Sequence, residues 1–219
     1  MRRNAEAVEA LASACAAHGA GLVLISSNEV FNGERSDGLG YREDDSVDPR
    51  NAYGQSKLAG ELAAQGVYGA KPGLWIVRTA WLYGAPGGDF PDRIVAAADR
   101  LPAPEPLPVV EDEVGSPTLA TDLATAIVTL AERTDGGVFH LVNRGSISRL
   151  GWAERVLAAC RPQRRLRPIP RHTYRRDSDP PPWAVLDGSK AASRASIRLR
   201  DWREACDAEL ERRAAAGSA

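Results

Sequence analysis

The sequence predicts an α/β fold built on a parallel sheet with right-handed crossovers, and three observations carry that expectation. Amphipathic helical stretches alternate with short apolar runs such as Gly21–Ile25 and Leu74–Val77. Those runs are too short for helices and have the unbroken apolar character of strands covered on both faces. Glycine and proline punctuate the joints between them, giving the helix, strand, helix, strand rhythm of crossover units. The 219 residues suffice for one large domain or two small ones, and 43% hydrophobic with 26% charged residues is an ordinary globular composition. With 28 basic against 29 acidic side chains the net charge is −1, which supplies no global field for nucleic acid or an anionic membrane. No apolar run approaches the roughly 20 residues of a membrane-spanning helix. The opening Met-Arg-Arg-Asn-Ala-Glu runs directly into a helical pattern without the apolar core of a signal peptide, so the expected location is cytoplasmic, with no nucleic-acid or membrane partner.

From Asn4 to His18 the apolar positions Val8, Leu11, Ala12 and Cys15 recur at spacings of three and four, and Gly19 stops the helix. Residues 21–27 then form a buried strand ending in Ser26 and Ser27. Residues 28–51, rich in glycine and acids, read as a long surface loop of the kind that carries function. Ala52 to about Gln65 is a second helix, followed by a turn at Lys71-Pro72-Gly73 and a second buried strand, Leu74–Thr79. Beyond Trp81 the pattern predicts a helix near Asp89–Arg100, a strand at Leu107–Val110, a helix from Ala120 to Glu132 and a strand at Val138–Val142. A helix at Leu150–Cys160, a strand at Leu166–Ile169 and a last helix at Asp201–Arg213 complete the chain. Two regions are expected, 1–84 and 85–219, the second partly returning to the first sheet. Cys15, Cys160 and Cys206 stand far apart, and His18, His140 and His172 form no ligand spacing with them, so no metal site is expected. Seven arginines and no acid between Arg161 and Arg176 face seven acids against two arginines from Glu29 to Asp48. Such runs are either solvated faces or, for the arginines, a phosphate contact.

The chemistry concentrates in Tyr53-Gly54-Gln55-Ser56-Lys57, where a phenol and an ammonium four residues apart share one helix face. A neighbouring ammonium favours the phenolate and is expected to pull the Tyr53 pKa toward the working range of an acid–base catalyst. Ser26 and Ser27 stand at the carboxyl end of a buried strand, where open α/β sheets bind their ligands, and a serine there can hold a carbonyl oxygen.

With these motifs in order, the sequence resembles the extended short-chain dehydrogenase/reductases, and among them the dTDP-4-dehydrorhamnose reductase family. The segments that carry the likeness are Ile25-Ser-Ser-Asn-Glu-Val-Phe-Asn-Gly33, Asp48-Pro-Arg-Asn-Ala-Tyr-Gly-Gln-Ser-Lys-Leu-Ala-Gly-Glu61 and Val77-Arg-Thr-Ala-Trp-Leu-Tyr-Gly84, with Asp112-Glu-Val-Gly-Ser-Pro-Thr118, Val185-Leu-Asp-Gly-Ser-Lys190 and Asp201-Trp-Arg-Glu204 further on. The resemblance implies an NAD(P)-binding, Rossmann-like, doubly wound parallel sheet, truncated at its N-terminus, with a smaller C-terminal α/β region for substrate. It implies hydride transfer from NADPH or NADH to the C4 ketone of a dTDP-linked 4-keto-6-deoxy sugar. Tyr53 takes the proton-donor position, Lys57 that of the ribose-holding lysine, and Ser27 that of the hydroxyl holding the substrate oxygen. Ser26 and Arg78 join Tyr53 and Lys57 as expected cofactor contacts; Asn28, Glu29 and Trp81 join Ser27 on the substrate side.

Two departures stand against this likeness. Where the family has Thr-Asp-Tyr before Val-Phe, this chain has Ser27-Asn28-Glu29, replacing an acid with an amide and a sugar-contacting aromatic with a carboxylate that is expected to repel a nearby diphosphate, which favours a different 4-keto sugar or weak activity. Relatives also open with a strand, a Gly-rich turn and a helix that cradles the cofactor pyrophosphate. Here the first helix aligns with the one before the fourth strand, so about 70 residues of the fold lie outside this chain at about 30 residues per crossover unit. Gly84-Ala-Pro-Gly87-Gly88 follows the wrong strand to replace that turn. The expectations are an uncovered sheet edge and negligible nicotinamide affinity for these residues alone. Four readings stay open: a reductase with a longer polypeptide, a catalytically silent binding or regulatory subunit, a chain without function, and one completed by a homodimer or a complementing chain.

Overall fold

The computed structural model describes residues 2–84, 88–102 and 104–217, with side chains from Ala5 onward. A first helix, α1 (Arg2–Ala17), ends where Gly19 takes φ +66°, a conformation glycine adopts without a Cβ penalty. It leads into β1 (Leu22–Ser27), then a single 3₁₀ turn at Asn28–Val30 capped by the Ser27 side chain, which accepts from the Glu29 N–H. Helix α2 (Ala52–Tyr68) begins at Asn51, whose Oδ1 accepts from the Gly54 N–H at 2.8 Å, and runs three residues past its expected end to Gly69 at φ +56°. Strand β2 (Leu74–Thr79) pairs in parallel with β1, residue 22 opposite 74 through 27 opposite 79. After β3 (Leu82–Tyr83) come α3 (Phe90–Arg100), β4 (Leu107–Val110), β5 (Val114–Gly115), β6 (Thr118–Leu119) and α4 (Ala120–Arg133). Strand β7 (Gly137–His140) then returns to pair in parallel with β2, giving the order β1-β2-β7. The chain finishes with β8 (Ile147–Ser148), α5 (Arg149–Cys160), β9 (Leu166–Ile169), β10 (Trp183–Ala184), α6 (Ser189–Ala195) and α7 (Trp202–Ala215).

Alternation along β2 sorts the two faces of this sheet. Ile76 points into a cluster with Ala12, Leu22, Ala64, Tyr68 and Leu74 beneath α1 and α2. Val77 points the other way, to Leu123, Leu130, Phe139, Leu141 and Ala191 beneath α4 and α6. The sheet is therefore the middle of three layers, which explains its unbroken apolar strands. A second core gathers Tyr83, Trp152, Val156, Trp202, Ala205 and Cys206 among β3, β6, α5 and α7, and β4 paired with β9 packs Leu107 and Val109 on α3 and α5. Burial pushes the Cys206 thiol up to about 11, as expected of a core cysteine.

The loop 28–51 is anchored to the sheet end. Phe31 and Tyr41 stack at 4.3 Å, Tyr41 bridges to Leu186, and both pack with Val30, Ala80 and Val142. Sequence reading missed β3, β5, β6, β8 and β10 because two residues carry no periodicity, and α6 because Ser-Lys-Ala-Ala-Ser-Arg-Ala shows no apolar stripe. Strand β7 ends at His140, two residues before its expected end. Residues 85–87 of the Gly84–Gly88 segment lie outside the described residues.

Candidate active site

The carboxyl ends of β1 and β2 bring the sequence motifs together. Ser27 is the last residue of β1, and its Oγ accepts from the Glu29 N–H at 3.2 Å, so the hydroxyl is fixed at the sheet end. The backbone of Glu29 rests on Gly54 so closely that a Cβ there would run into the Glu29 carbonyl. This contact and the Asn51 cap lock the first turn of α2, which carries Tyr53, against the Ser27 turn. The Lys57 Nζ lies 5.7 Å from the Tyr53 ring centre, and the Ser27 hydroxyl is near enough to the phenol to act on its pKa. Lys57 donates to the Ile25 carbonyl at 3.1 Å. An ammonium has three protons and this bond uses one, so the lysine keeps donors for a further polar ligand. That donor set suits a ribose diol.

The expected downward pull of Lys57 on the phenol is not what the structure shows. Burial raises the Tyr53 pKa above its ordinary value and the Glu29 carboxylate adds to the rise, while the Ser27 hydrogen bond opposes them. The physical reason is geometric: the ammonium is drawn toward the Ile25 carbonyl and a carboxylate stands nearby. Tyr53 nevertheless keeps 48% of its surface exposed. A cavity of about 610 Å³ lies elsewhere, lined by segments 140–146 and 185–189, and Tyr53 has no part in it. Tyr53, half exposed, and Ser27, buried, form a ledge at the sheet end.

Ser26 and Arg78, expected at the cofactor, are engaged below this ledge. Arg78, 5% exposed, forks onto Glu61, 1% exposed, with Nε–Oε1 at 3.0 Å and Nη2–Oε2 at 2.7 Å. Ser26 donates to the same Glu61 carboxylate. Arg78 also lies 5.2 Å over the Phe31 ring, and its Nη1 has no hydrogen-bond partner among the described residues. Asn28, expected at the substrate, is buried with its Oδ1 3.5 Å from the Ser27 hydroxyl, so it stands behind the serine.

Trp81 adopts φ +44°, an uncommon conformation for a non-glycine residue and a local strain. Its ring lies flat on Gly115, where a Cβ would intrude, and 5.8 Å from the parallel Trp152 ring. The Arg149 guanidinium covers it at 3.6 Å. Arg149 has its closest acid in Glu113 at 3.9 Å and is within electrostatic reach of Glu29, Arg93 and Arg176. Burial first, and then its arginine neighbours, lower its pKa to about 10 despite Glu113 and Glu29. Glu113 is buried and also meets Arg171 at 3.4 Å and Arg176. The arginine run is thus split: Arg171 and Arg176 turn inward to Glu113, while Arg161 pairs with Asp99, Arg164 binds the Leu101 carbonyl and Arg165 that of Pro104. The repulsion expected of Glu29 toward an anion is opposed by Arg149 and Arg176, which lie within electrostatic reach of its carboxylate.

Sequence reading did not single out Glu61, Asn51, Glu113 or Arg149. Glu61 had a signal, falling one further helical turn beyond Lys57 on the Tyr53 face. Asn51 had one as a capping residue type directly before a helix. Glu113 and Arg149 had none, since they meet only through tertiary packing.

A strand-end serine with a Tyr-x-x-x-Lys helix, set on a parallel three-layer sheet, defines an extended short-chain dehydrogenase/reductase type of α/β protein. Residues 1–214 match the RmlD substrate binding domain, and the chain belongs to that family. It is similar to the dTDP-4-dehydrorhamnose reductase of Mycolicibacterium smegmatis, with 40% identity over 199 residues, 89% of this chain and 58% of the relative. It is also 35% identical over 206 residues to a probable dTDP-4,6-dihydroxy-2-methyloxan-3-one 4-ketoreductase of Streptomyces antibioticus, covering 92% of this chain and 67% of that protein. Among solved structures, the Bacillus anthracis dTDP-4-dehydrorhamnose reductase in complex with NADP superposes with a TM-score of 0.82 at 29% identity, covering 95% of this chain and 70% of that one. The chain spans 58% of the length of the mycolicibacterial relative. No helix among the described residues is long and apolar enough to cross a membrane.

Proposed function

We propose that this chain carries the proton-donating and sugar-binding part of a reductase acting on the C4 ketone of a dTDP-linked 4-keto-6-deoxy sugar, with NADPH or NADH as reductant. The single observation that carries this reading is that the first turns of α2, which carry Tyr53 with the Lys57 ammonium 5.7 Å from its ring centre, are seated through Gly54 on the turn that follows the strand-end Ser27. A reduced nicotinamide supplies the hydride when bound. Lys57 has free donors for its ribose, which orients the cofactor without serving as a base. Ser27 holds the ketone oxygen, and Tyr53 delivers a proton to that oxygen as negative charge develops on it. A phenol whose pKa is raised remains protonated at neutral pH, the state a reduction needs. On the substrate side, Trp81 holds Arg149 over its ring, and Arg149 with Arg176 supplies positive charge suited to a diphosphate.

The names of the relatives support the substrate class: one reduces dTDP-4-dehydrorhamnose, and the other acts on a dTDP-linked oxan-3-one. The test is oxidation of NADPH by the full polypeptide its gene encodes, with dTDP-4-keto-6-deoxyhexoses as substrates. Tyr53→Phe is expected to lower turnover by about 10²- to 10⁴-fold while sugar-nucleotide affinity stays close to wild type. Unchanged turnover removes Tyr53 from the mechanism. Tight sugar-nucleotide binding with no turnover in the wild type supports the silent-subunit reading instead.

A further inference from the structure

Glu29 is a carboxylate held in place by the same groups that fix Tyr53. Its Oε2 accepts from Asn51 Nδ2 at 2.7 Å. Asn51 is itself tied down, capping α2 through the Gly54 N–H and donating to the Asp179 carbonyl at 2.9 Å. The Glu29 backbone is seated on Gly54 and hydrogen-bonded to Ser27. Its Oε1 accepts no hydrogen bond among the described residues, and neither Arg149 of α5 nor Arg176 of the segment before β10 closes an ion pair with it. A half-buried carboxylate with an unused oxygen is costly unless a donor reaches it, and burial correspondingly raises the Glu29 pKa against the pull of Asn51 and the two arginines.

The ketone oxygen, on the reading proposed above, sits between the Ser27 and Tyr53 hydroxyls. The ring carbons flanking the carbonyl then lie within a few bonds of that oxygen, and Glu29 borders this position: its backbone is held by Ser27 and Gly54, and its carboxylate lies within electrostatic reach of the Tyr53 phenol. We infer that Glu29 accepts a hydrogen bond from the hydroxyl on the ring carbon next to the reacting carbonyl, C3 of a 4-keto sugar, and confines the substrate class to sugars that keep that hydroxyl. A neutral hydroxyl suits the site better than an ammonium, because Arg149 and Arg176 already stand against the charges of Glu29 and Glu113. An aromatic ring at this position offers a face for packing; a carboxylate demands a donor, and leaving it unmet is what discriminates.

The inference rests on the nucleotide-sugar reading, so the experiment separates the two. Calorimetric titrations of the full polypeptide its gene encodes use dTDP, dTDP-L-rhamnose, its 3-deoxy analogue and its 3-amino-3-deoxy analogue. The 3-hydroxy sugar nucleotide is expected to bind about 10- to 100-fold more tightly than the 3-deoxy one. Glu29→Ala should bring that ratio close to one, and Glu29→Gln should reduce it; circular dichroism checks that each folds, and the Gln variant decides if the Ala variant does not. Equal wild-type affinity for the two analogues, with dTDP still binding, overturns the role of Glu29 alone. Tighter binding of the amino analogue overturns the choice of a hydroxyl. Failure of dTDP and every sugar nucleotide to bind overturns the nucleotide-sugar reading and this inference with it.

Discussion

Arg78 and Glu61 show how a buried ion pair can serve a site it does not enter. Both are buried beneath the ledge, joined by three hydrogen bonds in a forked pair, and Ser26 binds the same carboxylate one residue before Ser27. Desolvating two charges is expensive, and the pair is compensated only while both members and their hydrogen bonds remain. Arg78→Met strands the Glu61 carboxylate in the interior, and urea unfolding should show a loss of roughly 3–5 kcal/mol. Combining it with Glu61→Leu removes the orphaned charge, so the double variant is expected to be more stable than Arg78→Met alone. A double variant as unstable as the sum of its parts would mean the two side chains act independently. The pair was partly legible in the sequence: Glu61 follows Tyr53 and Lys57 on one helix face, but the strand and partner it meets come from packing.

At the scale of the element, the first turn of α2 decides whether Tyr53 and Ser27 meet. Three features fix it: the Asn51 cap, the Gly54 contact with Glu29, and Lys57 reaching back to Ile25. Gly54 sits in a helix, where glycine ordinarily costs up to about 1 kcal/mol relative to alanine. Gly54→Ala should therefore stabilise an isolated helix, yet here the added methyl meets the Glu29 carbonyl, which is backbone and cannot swing aside. The expected outcome is a net loss of about 1–3 kcal/mol in thermal or urea unfolding, together with weakened turnover as Tyr53 is displaced. A variant more stable than wild type would show that the α2 start and the Ser27 turn are not in forced contact. Helix and strand bounds were largely readable, since β2, β4 and β9 carry the same residues as predicted and the long helices differ by a few positions. The length of loop 28–51 was readable too, whereas its anchoring through Phe31, Tyr41 and Leu186 was not.

For the whole molecule, His140 ties that loop to the sheet. It lies at the end of β7, fully buried, with Nδ1 3.0 Å from the Tyr41 carbonyl, and its N–H donates to Glu43 at 2.8 Å. Burial first and Arg78 second lower its pKa from 6.5 to about 3. The unfolded chain therefore binds a proton at this residue below pH 6.5 that the folded one refuses, so stability is full above that value and drains as pH falls toward about 3. Thermal melts across that window should fall more steeply for wild type than for His140→Gln; parallel curves would remove His140 as the cause. By itself the sequence determined the α/β rhythm, the covered strands and the Tyr53–Lys57 face, because hydrophobic period and helical spacing are local properties of the chain. Only the tertiary structure decided which way the Tyr53 pKa moves, that Arg78 turns inward to Glu61, and that Arg149 and Arg176 come within electrostatic reach of Glu29. Those outcomes depend on burial and on charges brought from distant segments, and neither is written in any one stretch of residues.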